Sequence, residues 1–286
     1  HERYLRSLID DKRSYAFESL MRQVCSEEDY RFYEYGYEED LAAIESQHLL
    51  DSLKQARDES EVHLYFSGDI DSAEAKAALA PLIAVHDQKA EFKLNDLSDL
   101  RGAGEPTEVI EELDMQQAQL FLAYRSKARY GSARSVALSA VSGILGSFSH
   151  SKLFINVREE AKLCYSVGTE LNRSHGLMFM SAGIEAEKFE LARDLMKEQL
   201  DQICRGEITD DELEATRKAF ANRLEMLEDS PATLMEIDLS WRLSNASYNH
   251  EEYSKQLLAV SKEEMIEAAR SLELDMTYLL RPKAEA

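Results

Sequence analysis

The stretch Leu153-Phe-Ile-Asn-Val-Arg158-Glu159-Glu-Ala-Lys162-Leu163-Cys-Tyr165-Ser-Val167 contains the most informative pattern in the chain. Up to Glu160 its apolar side chains recur at helical spacing, and the residues that follow alternate in the manner of a strand. A second apolar run, 177–184, comes after the polar turn 172–176. The stretch therefore predicts a helix that leads directly into a β-hairpin.

Helices and strands are predicted on both sides of this hairpin. A strand-like segment covers 112–124, and a small-residue helix covers 132–146. After the hairpin, residues 189–203 predict an amphipathic helix. Thr209 with Glu212 then forms a capping box that opens another helix. Shorter helices are followed by a last strand at 274–280. This order predicts an α+β fold rather than alternating βαβ units.

The first part of the chain reads as a separate, shorter unit. Helical patterns cover 2–24 and 37–57, and the β-branched and aromatic run 61–67 predicts a strand. The composition then changes to mixed charges, glycines and a proline. We therefore predict a first unit at 1–90, a linker at 91–106 and a second unit at 107–286.

Composition excludes several classes of protein. The 286 residues carry a formal net charge of -22, which disfavours binding to nucleic acids and to anionic membranes. No apolar run approaches the roughly 18 residues of a membrane helix. The three cysteines lie far apart in sequence, which indicates reduced thiols in a cytoplasmic protein. The chain begins without a methionine, so we expect a fragment or a protein that has lost its front part.

Self-contained catalytic motifs are absent from the sequence. There is no Gly-x-Ser-x-Gly elbow, phosphate-binding glycine loop, His-Glu-x-x-His or His-x-x-Glu-His. The seven histidines include no pair one helical turn apart, and Glu45 with His48 is better explained as a surface pair. Tyr33, Tyr35 and Tyr37 resemble a peptide-binding cluster, but tyrosines around a glycine more often anchor a loop.

The 153–167 stretch resembles the C-terminal-domain signature of the insulinase-like (M16-type) zinc metallopeptidases, the group that contains pitrilysin and the mitochondrial processing peptidase. The family pattern reads Leu-Phe, Arg-Glu and then Leu-x-Tyr, and the separation of Arg158 and Tyr165 matches it. Gly143–Gly146, Tyr65–Asp69 and Gly206–Leu213 extend the resemblance over most of the chain. It implies duplicated two-layer α/β sandwich domains with mixed sheets, enclosing a chamber between two halves.

The resemblance also implies that this chain carries no zinc ligands. The family's His-x-x-Glu-His lies early in the first domain, and a further Glu ligand precedes a turn that here resembles Asp10-Asp11-Lys12. The position of that ligand falls near Tyr4, which is not a carboxylate. Zinc is therefore expected in a partner or in a missing N-terminal segment. Active members also have glycine where this chain has Lys162, which indicates a divergent subgroup.

In such non-catalytic members, the resemblance assigns Arg158 and Tyr165 to a zinc site on another chain. The expected function is that of one half of a peptide- or protein-processing peptidase, a homo- or heterodimer with a zinc-bearing homologue. Its substrate would be a peptide or an unfolded protein. The structural alternative is that Tyr165 packs and Arg158 pairs with an acid on its own helix. The functional alternative is a non-catalytic paralogue that binds a peptide or protein through a sheet edge.

Overall fold

A mixed five-stranded sheet is built from residues in the second part of the chain. The computed structural model describes residues 1–60, 62–83, 100–128, 130–244 and 249–283. The strands are β1 (Thr107–Leu113), β2 (Ala118–Arg125), β3 (Cys164–Asn172), β4 (Leu177–Ile184) and β5 (Glu273–Pro282). Their order is β1-β5-β2-β4-β3, with β1 and β5 parallel and the other neighbours antiparallel. The predicted hairpin and the predicted mixed sheet are therefore confirmed.

Side-chain caps open several of the helices. The helices are α1 (Glu2–Ser7), α2 (Lys12–Val24), α3 (Ser46–Glu59), α4 (Ser72–Ile83), α5 (Ala133–Ser142), α6 (Phe189–Arg205), α7 (Asp210–Glu228), α8 (Pro231–Leu243), α9 (His250–Ala259) and α10 (Lys262–Arg270). The predicted capping box of Thr209 and Glu212 opens α7, and Ser261 with Glu264 forms another at α10. Gly206, in the left-handed conformation, ends α6.

Two π-helical turns lie in the segment between α5 and β3. The first turn, π1, extends α5 over Gly143–Ser147, and the second, π2, covers Leu153–Glu160. Because π-helices place residues off the ordinary helical spacing, they occur most often at functional sites. The predicted helix through Glu160 is thus present, but as a wider turn that carries Arg158.

The central strands of the sheet are buried on both faces. On one face, helices α5, α6, α7, α9 and α10 contribute to the main hydrophobic core. On the other face, Leu20 and Val24 of α2 pack against Phe121, Phe179 and Tyr278. Every residue of β2 is buried as a result. The second part of the chain therefore forms the predicted two-layer α/β arrangement, and α2 adds a further layer.

A buried arginine connects α2 to the sheet. The Arg125 side chain on β2 is 1% exposed, and its Nε donates to Asp275 at 2.6 Å. Its second terminal nitrogen donates to the Val24 carbonyl at 2.6 Å and contacts Glu28 at 2.5 Å. Both α2 and β5 are thereby held to β2 through one guanidinium group.

Several sequence-based boundaries were wrong, each for a local reason. Asp11 divides the predicted helix over 2–24, because its carboxylate caps α2 by accepting from the Ser14 amide at 3.2 Å. The segment 112–124 is two strands, since the chain turns between β1 and β2. Residues 62–67 form no strand, because no described strand pairs with them.

The predicted linker at 91–106 lies mostly outside the described residues. Its described part, 100–106, contains neither helix nor strand. The division into units at 1–90 and 107–286 stays a prediction. None of the described helices is both long enough and apolar enough to cross a membrane.

Candidate functional site

Arg158 lies in π2, where its side chain is only partly exposed. The guanidinium carbon lies 4.5 Å from the ring centre of Phe154, which fixes its direction by cation–π attraction. The nearest carboxylate in the described chain is that of Glu159, with nitrogen and oxygen 3.8 Å apart. At this distance on the surface the ion pair is weak, so most guanidinium donors stay available. The expected pairing with an acid on its own helix is present but loose.

Lys162 turns the chain from π2 into β3. Its φ of 54° is the only positive value of a non-glycine residue in the described parts of the chain. The left-handed conformation costs such a residue roughly 1–2 kcal/mol. Two backbone hydrogen bonds brace the turn, from the Ala161 amide to the Asn156 carbonyl and from the Leu163 amide to the Val157 carbonyl. Lys162, which stands where the family pattern has glycine, therefore has a strained backbone conformation.

Tyr165 lies at an irregularity in β3 and points away from the protein. Cys164 pairs with Ile184 and Ser166 pairs with Gly183, so Tyr165 has no partner on β4. Such a bulge changes the direction of the extra side chain. The Tyr165 side chain is 71% exposed, and its hydroxyl makes no hydrogen bond within the described structure. The structural alternative, in which Tyr165 packs into the fold, is not supported.

The turn brings the Arg158 charge close to the start of β3. Burial raises the pKa of the Cys164 thiol to about 11, and the Arg158 guanidinium opposes that rise. Cys164 is the residue directly before Tyr165. The braced turn therefore joins a helix that carries a guanidinium to an edge strand that carries an exposed phenolic hydroxyl, and both groups are hydrogen-bond donors. Donors of this kind can hold a carbonyl oxygen or a carboxylate.

A second feature is a cleft between α2 and the open part of the sheet. Its volume is about 670 Å³, and Tyr4, Tyr33 and Tyr35 lie at one end. The rings of Tyr4 and Tyr35 meet edge to face at 5.0 Å, and those of Tyr33 and Tyr35 at 5.4 Å. Tyr37 is different, because its hydroxyl accepts from the Tyr33 amide at 2.9 Å. Tyr37 thus anchors the loop, as expected, whereas the other tyrosines line the cleft.

Glu18 is a titratable group in this cleft whose pKa is shifted strongly. Burial, and then repulsion from Glu34, raises the pKa of Glu18 to about 7. The folded protein thus binds this proton more tightly than the unfolded chain does. The resulting destabilisation is absent below about pH 4.5, grows as the pH rises and is complete above about pH 7.

Replacing Glu18 with Gln should therefore stabilise the protein at pH 8 and much less at pH 5.5. We expect the free energy of unfolding to rise by about 1 kcal/mol at pH 8, a value reduced for partial exposure to solvent. Urea unfolding at the two pH values measures the change. Glu225→Gln, which removes an exposed carboxylate from α7, serves as the control. An equal effect of both variants at pH 8 would contradict the role of burial.

A known protein family accounts for the larger part of this chain. The family described as "Peptidase M16 inactive domain" matches residues 43–220. The chain belongs to this family. The resemblance seen in the 153–167 stretch is thus confirmed at the level of the family.

Three relatives extend the comparison beyond the matched residues. The "Probable inactive metalloprotease YmfF" of Bacillus subtilis (strain 168) is 28% identical over 277 residues, which are 97% of this chain and 65% of the relative. A conserved protein from Enterococcus faecalis V583 has a TM-score of 0.89 at 27% identity, covering 100% of this chain and 67% of that one. A peptidase M16 inactive domain from Pseudomonas fluorescens has a TM-score of 0.80 at 18% identity over 98% and 69%, which shows the shared fold. The chain therefore spans 65% of the length of its curated relative.

The described residues do not fit a zinc ion. Within the described ranges, no group of three or more His, Cys, Asp or Glu side chains could hold a metal. Tyr4, near the expected position of the third ligand, contacts the rings of His1 and Tyr35. Asp11, in the turn after it, is occupied as the cap of α2. The position that the resemblance predicts for the ligand thus falls at Tyr4, in the aromatic wall of the cleft.

Sequence reasoning missed two features of these sites. The Phe154 ring beneath Arg158 was part of the Leu-Phe signature, and its spacing of four residues could have indicated the contact. The protonation of Glu18 depends on Glu34 and on burial, which no local pattern reports.

Proposed function

We propose that this chain is the non-catalytic half of an M16-type peptidase, which shapes a chamber for peptides and supplies Arg158 and Tyr165 to a zinc site on another subunit. The observation that carries the proposal is the exposure of Tyr165, at 71%, in the β3 bulge that follows the braced and strained turn at Lys162. A tyrosine with only a structural role would be packed or hydrogen-bonded. Strain in a backbone is retained where the surroundings hold a residue for a function.

The chemistry assigned to the two residues follows from their donors. The Tyr165 hydroxyl would donate to a carbonyl oxygen as that oxygen gains negative charge during peptide cleavage. The Arg158 fork would hold a backbone carbonyl or a carboxylate of the substrate in a fixed orientation. Neither residue needs a metal ligand on this chain.

An exposed apolar surface on α3 supports the proposal that this chain has a partner subunit. In α3 the side chains of Leu49, Leu50 and Leu53 are at least half exposed, and no residue of α3 is buried. Val62 and Phe66 expose similar apolar area close by in sequence. Exposed apolar residues in this number are typical of an interaction surface. We propose that a zinc-bearing homologue forms the dimer.

Tyr165→Phe provides the test of this function. The variant should lower the kcat of partner-dependent peptide cleavage at least tenfold, with little change in KM, because only the transition-state contact is lost. The measurement uses a fluorogenic peptide and the complex of the full-length protein with its zinc-bearing partner. Tyr30→Phe removes the hydroxyl of another exposed tyrosine, which does not line the tyrosine cleft, and should leave kcat unchanged. Full activity of the Tyr165→Phe complex, with normal assembly on a sizing column, would refute the proposal.

The position of β3 favours a second candidate function. This strand lies at the edge of the described sheet, and an edge strand can accept an extended peptide as an additional strand. In that case the chain would bind peptides without any part in their cleavage. Two results together would support this second function: the chain binds peptides, and Tyr165→Phe leaves their cleavage unchanged.

A further inference from the structure

A cavity separate from Arg158 and Tyr165 lies between the helices that cover β3. Its volume is about 410 Å³, within the range of small-molecule sites. The walls come from α5, π1, β3, α7, α8 and α9. Most of the wall is apolar, and the apolar side chains are Leu171, Phe220, Leu224, Leu227, Ile237, Trp241 and Leu257.

Arg173, in the hairpin turn, provides the cavity with a fixed positive charge. One terminal nitrogen donates to the Tyr253 hydroxyl at 2.7 Å, and the guanidinium carbon lies 5.2 Å from the ring centres of both Tyr130 and Tyr253. The Tyr253 hydroxyl in turn donates to Ser139 at 3.2 Å. The guanidinium is thus held in place by rings and a hydroxyl, which use only one of its five N–H donors.

The charge on Arg173 is not neutralised within the described ranges, where no carboxylate comes within 4 Å of it. Arg223, on the rim, likewise has no such partner there, whereas Glu170 brings one negative charge to the lining. The balance of the lining favours a ligand with a single negative charge, since Glu170 would repel a more highly charged group such as a phosphate dianion.

Hydroxyl groups line the cavity beside β3. Ser142 and Thr169 contact each other at 2.9 Å, and Ser147 lies 3.1 Å from both. Because these hydroxyls already satisfy one another, they require no further ligand group. Of the two arginines without a carboxylate partner, Arg173 is the one held in a fixed orientation, and its guanidinium matches the planar geometry of a carboxylate.

We propose that this cavity binds a carboxylate attached to an apolar group, with the carboxylate on Arg173 and the apolar group between Trp241 and Leu224. Two sources share this chemistry: the C-terminus of a peptide that ends in an apolar residue, and a free carboxylic acid with a hydrocarbon chain. The proposal is independent of any role of Arg158 and Tyr165, because it concerns binding by this chain without a partner's zinc.

Trp241 provides the readout, because it is the only tryptophan in the sequence and lies in the wall of the cavity. The full-length protein would be titrated with decanoate, with decanol, and with acetyl-trileucine as the free acid or the amide. We expect a saturable change in fluorescence with at least one acid, and binding at least tenfold weaker for its neutral counterpart. The acid that binds more tightly identifies the source.

Arg173→Gln should weaken binding of the acid at least tenfold, because the positive charge is lost. Arg173→Lys should weaken it about threefold, because lysine keeps the charge but lacks the paired N–H donors of the guanidinium. Arg3→Gln removes the same charge from an exposed position in α1 and should change nothing. Ile237→Phe, which fills part of the cavity without altering its charge, should also reduce binding. Circular dichroism verifies the fold of each variant.

Three outcomes would overturn the proposal. Equal affinity for the acids and their neutral counterparts would show an apolar cavity without a carboxylate site. Unchanged binding in both folded variants of Arg173 would place the anion elsewhere. Calorimetry that detects no binding of either acid at about 1 mM, the weak end of specific affinity, would exclude the ligand class.

Discussion

Replacing Arg125 with methionine is expected to lower the free energy of unfolding by about 3–5 kcal/mol. Methionine has a similar length and fills much of the same volume, so the loss comes from the charge. Without the guanidinium, Glu28 and Asp275 keep carboxylates that are mostly buried, with side chains 23% and 16% exposed. The Val24 carbonyl also loses the donor that it accepts from.

A surface pair provides the matched control for this prediction. Arg281 contacts Glu112 at 2.7 Å, but both side chains are about two-fifths exposed. Arg281→Met should therefore cost less than about 1 kcal/mol. Adding Glu28→Gln and Asp275→Asn to Arg125→Met should restore part of the stability, because the unpaired charges are then removed.

Urea unfolding followed by circular dichroism measures these differences. A loss for Arg125→Met no larger than that for Arg281→Met would contradict the network. If only α2 detached, hydrogen exchange would increase in α2 and leave the amides of β4 protected. That result would assign the network to the attachment of α2 and not to the stability of the sheet.

Gly176→Ala is expected to be the most destabilising of the glycine substitutions, at about 3 kcal/mol or more. Gly176 ends the hairpin turn with φ of 62°, and a Cβ atom there would lie 2.2 Å from the Ser126 carbonyl oxygen. That oxygen belongs to the backbone, so no side chain can move to relieve the clash. The Ser126 amide donates to the Gly176 carbonyl at 2.8 Å, which holds the two segments together.

Alanine substitutions at two other glycines distinguish the cost of backbone strain from the cost of a steric clash. Gly36 has φ of 77°, but no atom lies within 4 Å of the position that an alanine Cβ would occupy, so Gly36→Ala should cost about 1 kcal/mol from strain alone. Gly104 has neither a positive φ nor a close neighbour, and Gly104→Ala should be neutral or slightly stabilising. Equal losses at positions 36 and 176 would show that the turn moves away from Ser126 without cost.

The sequence predicted the parts of the fold that depend on local patterns. The hairpin, the amphipathic α6 and the capping box at Thr209 all follow from spacings within a few residues, and each is present. The parallel pairing of β1 with β5 could not be predicted, because its partners are far apart along the chain. The break at Asp11 could have been read from the cap that Asp11 offers to Ser14.

The sequence predicted which residues belong to the candidate site, but not how these residues are arranged in space. Arg158 and Tyr165 came from the family signature, and their role in catalysis stays a proposal. Lys162 was recognised only as a departure from that signature, whereas the structure shows a left-handed turn. The bulge that exposes Tyr165 depends on its pairing with β4, which no pattern within β3 reports.

The place of β5 in the sheet has a consequence for the synthesis of the protein. Arg125 at the end of β2 and Asp275 in β5 are 150 residues apart, yet β5 lies between β1 and β2. At 5–20 residues per second, a ribosome needs roughly 8–30 s to make that interval. During this time β1 has no neighbour and one edge of β2 is open to other chains. Until β5 emerges, that open edge can accept a strand from another chain.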